Sequence, residues 1–147
     1  MPTWVMRRKP NNIIRLERRA LPLDKNKLKS IAVIGPNMNS IACLEGNYMG
    51  TASRYVTLLE GIQDAAGEDV RVFVASGSHL YKNREQNLAK PDDRIAEAVC
   101  AAEAADVSIL CLGLDANLEG EQGDTGNQFN AGDKTDLELP ESQRNLL

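Results

Sequence analysis

The chain has 147 residues, of which 42% are hydrophobic and only 4% aromatic, and 17 Lys/Arg against 21 Asp/Glu give a formal net charge of −4. That is enough chain for one domain with an aliphatic core and too little for two. The composition excludes a strongly basic nucleic-acid binder, and no apolar run approaches the roughly 18 residues a bilayer crossing takes, so neither nucleic acid nor a membrane is an expected partner.

Charge is unevenly placed. Residues 1–30 hold nine Lys/Arg and two Asp/Glu, which leaves the rest of the chain at −11. The basic stretch lacks the interleaved aromatics that stacking on bases needs, so residues 1–20 read as a solvated basic segment or linker ahead of a partial domain over 21–147. Within it, Asn11 to Leu16 has the composition of a short strand or a helix turn. No apolar stretch follows Arg7, Arg8 and Lys9, so the start does not read as a signal peptide, and a cytoplasmic location is the default expectation. Three cysteines, Cys43, Cys100 and Cys111, show no paired or metal-ligand spacing. Cys100 and Cys111 lie in alanine- and leucine-rich stretches suited to small buried thiols.

Ile31 to Ile34 is a wholly apolar, β-branched run ending at Gly35-Pro36, the pattern of a buried parallel strand. A helix is expected from about Ser53 to Ala66, with Tyr55, Leu58, Leu59, Ile62, Ala65 and Ala66 on one face and Gly67 at its end. Val70 to Val74 reads as a second strand. Asp92 or Asp93 can cap a second helix whose inward stripe is Ile95, Ala98, Val99 and Ala102. Val107 to Leu112 reads as a third strand, and Pro140-Glu141 opens a further helix that Leu147 leaves short. Strand and helix alternate, so the fold class is α/β, doubly wound, with a mostly parallel sheet, helices on both faces and truncation at the C-terminus.

Three connections are long. Residues 35–52, 75–91 and 113–139 span 18, 17 and 27 positions, against about 2–6 in ordinary α/β units. All three leave carboxyl ends of strands, the edge where open parallel sheets bind ligands. No G-x-G-x-x-G follows Ile34, and Pro36 removes a backbone donor, so a nucleotide is not expected there. No Walker, G-x-S-x-G or H-E-x-x-H pattern occurs. His79 is the single histidine, which excludes a histidine triad or multi-histidine metal site within the chain; it reads as a loop residue, with sugar contact as the alternative. Neither a cofactor nor a metal is expected. The third connection carries Asp115, Glu119, Glu121, Asp124, Asp133, Asp136 and Glu138 against Lys134. It lacks calcium-loop spacing, and it reads either as a solvated acidic loop or as a loop delivering a carboxyl group, with Gly120 and Gly123 letting the backbone bend.

Seven segments occur in an order that resembles a known family: LPL (21–23), IAVIGPN (31–37), GNYMG (46–50), YVTLLEGI (55–62), ADVSILCLGLD (105–115), LEGE (118–121) and LELPESQ (137–143). Together, across roughly residues 12–147, they resemble the second, α/β-sandwich domain of family 3 glycoside hydrolases, which include β-glucosidases and β-xylosidases. The resemblance implies hydrolysis of terminal β-linked glucose or xylose with retention. It also implies a two-domain active site, with an aspartate nucleophile from an N-terminal barrel domain and a glutamate acid/base from the loop after GLD. No barrel is encoded before Asn11, so the barrel is the expected partner and the isolated chain is expected to be inactive. Family members commonly place the glutamate four residues before an arginine; that spacing selects Glu121 over Glu119, although Thr125 stands where the arginine would. Asp115, Glu119, Asn47 and Tyr48 are the expected substrate-binding residues. The competing readings are a non-catalytic sugar-binding or structural α/β module, and a flavodoxin-like domain using Asp115 at a strand end.

Overall fold

The computed structural model describes residues 5–8, 14–16, 21–45, 50–84, 86–116, 118, 134 and 136–147, the first two stretches by their backbone alone. Five strands form one sheet: β1 (Val5–Arg8), β2 (Ile14–Leu16), β3 (Ser30–Ile34), β4 (Arg71–Ala75) and β5 (Val107–Leu110), in the order β2-β1-β5-β3-β4. The β5-β3-β4 core is parallel, with Ile31 opposite both Val72 and Val107. Two further strands come from the basic N-terminal segment. β1 pairs antiparallel with β5, and β2 pairs antiparallel with β1. The sheet is therefore a three-stranded parallel core with an antiparallel ribbon at one edge.

β3 is the middle strand of the parallel core, and its alternating side chains define two cores. Ile31 and Val33 join Ala66, Val70, Val107 and Cys111 on one face, with Leu59 and Ile62 packed against them. Ala32 and Ile34 join Ala75, Ala98, Ala101 and Ala105 on the other, with Leu146 packed against them. Successive strand residues point to opposite faces, so a strand apolar at every position has to be covered twice. The covers are α2 (Leu58–Ala66) on the first face, and α3 (Ile95–Glu103) with α4 (Glu141–Leu146) on the second. A four-residue helix, α1 (Ala42–Glu45), lies in the first long connection.

Helix boundaries depart from the periodicity in ways that capping explains. α2 begins at Leu58 rather than near Ser53, because the Thr57 hydroxyl accepts the Glu60 N–H and sets the first turn. Leu58 and Ala65 face solvent, and the inward stripe narrows to Leu59, Ile62 and Ala66. α3 starts at Ile95 without a side-chain cap; the two aspartates expected to cap it bond elsewhere, Asp92 with Asn145 and Asp93 with His79. Its buried face is Ala98 and Ala101, not Val99, which is 49% exposed. Cys100 is consequently exposed as well, contrary to the buried position its neighbours suggested, while Cys111 is buried. Alanines suit this face because they let α3 approach the sheet closely.

Candidate functional site at the carboxyl edge

The three parallel strands end together, and backbone hydrogen bonds hold their exits in register. Gly35 N–H donates to Ala75 C=O at 3.1 Å, Cys111 N–H to Ile34 C=O at 2.7 Å, and Asn37 N–H to Cys111 C=O at 3.3 Å. Gly35 has φ +133, and a Cβ there would lie 2.3 Å from the Cys111 carbonyl oxygen. Only glycine lets the β3 exit pass this close to the β5 exit. The first turn of the IAVIGPN segment is thus an edge-closing device.

The first long connection is tied down at several points. Leu59 N–H donates to Met38 C=O at 2.7 Å, and the Thr57 hydroxyl donates to Asn39 Oδ1 at 2.9 Å. The Tyr55 hydroxyl donates to Glu45 Oε1 at 2.6 Å and also lies 3.2 Å from the Gly50 carbonyl oxygen. The carboxylate beside it raises the pKa of the Tyr55 phenol. Burial pushes the Cys111 thiol up to about 11, with Cys43 adding to the effect, so Cys111 stays protonated and inert near neutrality.

The second connection is anchored on helices from the opposite face. Gly77 N–H donates to Glu97 of α3 at 3.2 Å, and buried His79 places Nε2 3.3 Å from Asp93 Oδ1. The His79 carbonyl accepts from the Ser142 hydroxyl at 3.0 Å. The third connection starts at Gly113, whose peptide is held on both sides by the Gln143 side chain. Two residues later, Asp115 is partly buried, and its carbonyl accepts the Leu118 N–H at 3.0 Å. Leu118 is buried at 1% exposure, so the acidic loop turns back onto the domain there.

Of the expected site residues, Asp115 lies at this edge, two residues past Gly113. Asn47, Tyr48, Glu119 and Glu121 lie outside the described residues. Gln143 and Leu118 lie within the LELPESQ and LEGE segments, but the sequence alone assigned neither a role; Leu118 stands out there only as an apolar residue in an acidic loop. Among the described residues no three His, Cys, Asp or Glu side chains gather as metal ligands, and no helix is long and apolar enough to cross a membrane. A separate open cavity of about 580 Å³ lies at the amino edge of the sheet, where Lys29 and Arg71 are balanced by Glu68 and Asp69.

Residues 14–147 match the model of the glycosyl hydrolase family 3 C-terminal domain. The chain belongs to glycosyl hydrolase family 3. It is 31% identical over 128 residues to Beta-D-xylosidase 3 of Arabidopsis thaliana, covering 87% of this chain and 14% of that protein. It is 30% identical over 151 residues to the Periplasmic beta-glucosidase of Salmonella typhimurium, covering 92% of this chain and 19% of that one. A solved family 3 exo-beta-xylosidase, XlnD, in complex with a xylobiose aziridine activity-based probe, superposes with a TM-score of 0.67 at 27% identity. That superposition covers 98% of this chain and 15% of the other. The chain thus spans between about a seventh and a fifth of the length of these relatives. The α/β fold and the family expected from the seven segments are both confirmed.

Proposed function

We propose that this family 3 domain supplies the general acid/base, Glu121, to a retaining β-glycosidase acting on terminal β-linked xylose or glucose, with the nucleophile coming from a barrel domain. The observation that carries the reading is the root of the acidic loop. It leaves the carboxyl end of β5 beside the exits of β3 and β4, the edge where α/β sheets bind ligands, and it is fixed there at Gly113. The relatives named for β-xylosidase and β-glucosidase supply the substrate class.

Retention needs two carboxyl groups about 5–5.5 Å apart across the glycosidic bond. In the first step the nucleophile carboxylate attacks the anomeric carbon, and Glu121 gives its proton to the departing oxygen as the C–O bond breaks. In the second, the Glu121 carboxylate takes a proton from water, which attacks the same carbon and releases the nucleophile. The proton donor has to stay protonated at working pH. Glu119, Asp124 and Asp115 are close to it in sequence, and a carboxylate brought beside it where a sugar excludes water would favour its neutral form. Asn47, Tyr48, Asp115 and Glu119 are proposed to line the sugar.

The test joins the chain to a family 3 barrel domain and compares xylobiose and cellobiose with dinitrophenyl glycosides. Glu121→Gln is expected to slow the disaccharides by about 10²–10⁴ and to spare the first step on the dinitrophenyl substrates, whose leaving group needs no proton. The chain without the barrel is expected to turn over neither. A leaving-group-dependent loss in Glu119→Gln instead moves the role to Glu119. No such loss in either variant makes the domain a non-catalytic module.

A further inference from the structure

Gln143 is completely buried. Its Oε1 accepts the Gly113 N–H at 2.8 Å, and its Nε2 donates to the Gly113 carbonyl at 2.8 Å and to the Leu80 carbonyl at 2.5 Å. Pairing with the N–H and C=O of one residue is what a neighbouring strand offers. The amide therefore continues the hydrogen bonding of β5 three residues beyond Leu110. Only an amide fits: a carboxylate cannot donate, and it would face two carbonyl oxygens, while an aliphatic side chain would strand one N–H and two C=O groups.

Ser142, next to it, bonds the His79 carbonyl. Consecutive residues of α4 thus grip the roots of the second and third connections. The first connection is close by, since a Cβ on Gly113 would lie 3.4 Å from Asn37 Nδ2. Beyond the grip, buried Leu118 gives the acidic loop a second anchor one residue before Glu119 and three before Glu121.

We infer that Gln143 is a positioning residue for the acid/base loop: it locks the loop root at Gly113 to the second connection, so that the carboxyl group farther along is delivered to a constant place. This rests on the glycosidase reading proposed above. Misplacing a reacting group by about 1 Å can cost about 10²-fold in rate, so a root held by two hydrogen bonds to Gln143, itself tied to Leu80 by a third, bears directly on proton delivery.

The experiment uses the same barrel-joined protein with Gln143→Glu and Gln143→Met. The expected result is a kcat on xylobiose reduced at least about tenfold more than the first-step rate on a dinitrophenyl xyloside, with KM nearly unchanged. Ser142→Ala, which leaves all three Gln143 bonds in place, is expected to show no such selectivity. Equal losses on both substrates in the Gln143 variants would mean that the residue only stabilises α4, and would overturn the inference. If those variants do not fold, amide exchange in the unmodified chain decides: Gly113 N–H is expected to be protected like β5, and exchange at the rate of an open loop overturns the inference. Where Glu121→Gln shows leaving-group dependence and the Gln143 variants do not, the inference alone fails; where Glu121→Gln shows none, the glycosidase reading fails first.

Discussion

Two glycines separate conformational strain from steric collision. Gly35 and Gly67 both have positive φ, +133 and +74. A Cβ on Gly67 would meet no atom within 4 Å, whereas one on Gly35 would sit 2.3 Å from the Cys111 carbonyl oxygen. Gly67→Ala should therefore lose only the backbone penalty of a φ of +74 with a ψ of −172, a conformation almost reserved for glycine, about 1–3 kcal/mol. Gly35→Ala has to separate the exits of β3 and β5 as well, and should cost about 3 kcal/mol or more. Urea unfolding of both variants tests this, and equal losses would show that the Gly35 contact relaxes without cost. The same close approach explains why IAVIGPN is an edge-closing turn and not a phosphate cradle.

At the level of elements, the start of β3 is held by a side chain distant in sequence. Asp106, just before β5, accepts the N–H groups of Lys29 and Ser30 at 2.8 and 3.0 Å, and its own N–H reaches the Ser30 carbonyl and hydroxyl. The Lys29 amide foremost, then those of Ser30 and the Lys29 charge, hold the Asp106 carboxyl below its ordinary value. A carboxyl with a lowered folded pKa stabilises the fold above its unfolded pKa, and that contribution disappears as pH falls through the folded value. The window lies below about pH 4. Asp106 is exposed, so solvent screening limits the effect, and Asp106→Asn should lose about 1 kcal/mol at pH 7. The gap to the unmodified chain should narrow progressively in melts as pH falls below about 4. A gap of constant size across this range would show that the carboxylate charge contributes nothing to tying the strands.

For the whole molecule, the sheet has one edge at β4 and another covered by the β1–β2 ribbon. β1 satisfies the outer hydrogen bonds of β5 across three paired positions, from Val5 opposite Ile109 to Arg7 opposite Val107. Removing residues 1–20 would open that side of β5, and an open, apolar strand edge pairs with other chains. The shortened chain should therefore associate with rising concentration in sizing experiments where the 147-residue chain does not. Identical elution of the two would mean that the ribbon contributes little to covering the edge.

The sequence by itself determined the α/β class, the three parallel strands and the two covering helices, because an unbroken β-branched run needs cover on both faces and a 3.6-residue stripe supplies it. It also located the acidic loop and, through seven short segments in order, the family. Helix starts were less legible. The first helix, expected from about Ser53, begins at Leu58, where the Thr57 hydroxyl accepts the Glu60 N–H and donates to Asn39, 18 residues earlier, and Asp93 turns to His79 although its local position suits a cap. Cys100 reads as inward by its alanine-rich surroundings and Val99 by the helical stripe, yet the buried positions of α3 are Ala98 and Ala101. Gln143 is the clearest case. Nothing local distinguishes it from a solvent-facing glutamine, and its role exists only because α4 returns across the sheet to Gly113 and Leu80, 30 and 63 residues earlier in the chain. Periodicity along a chain reports which face is buried. Which backbone groups meet there is decided by chain segments distant in sequence, and only the tertiary structure brings them together.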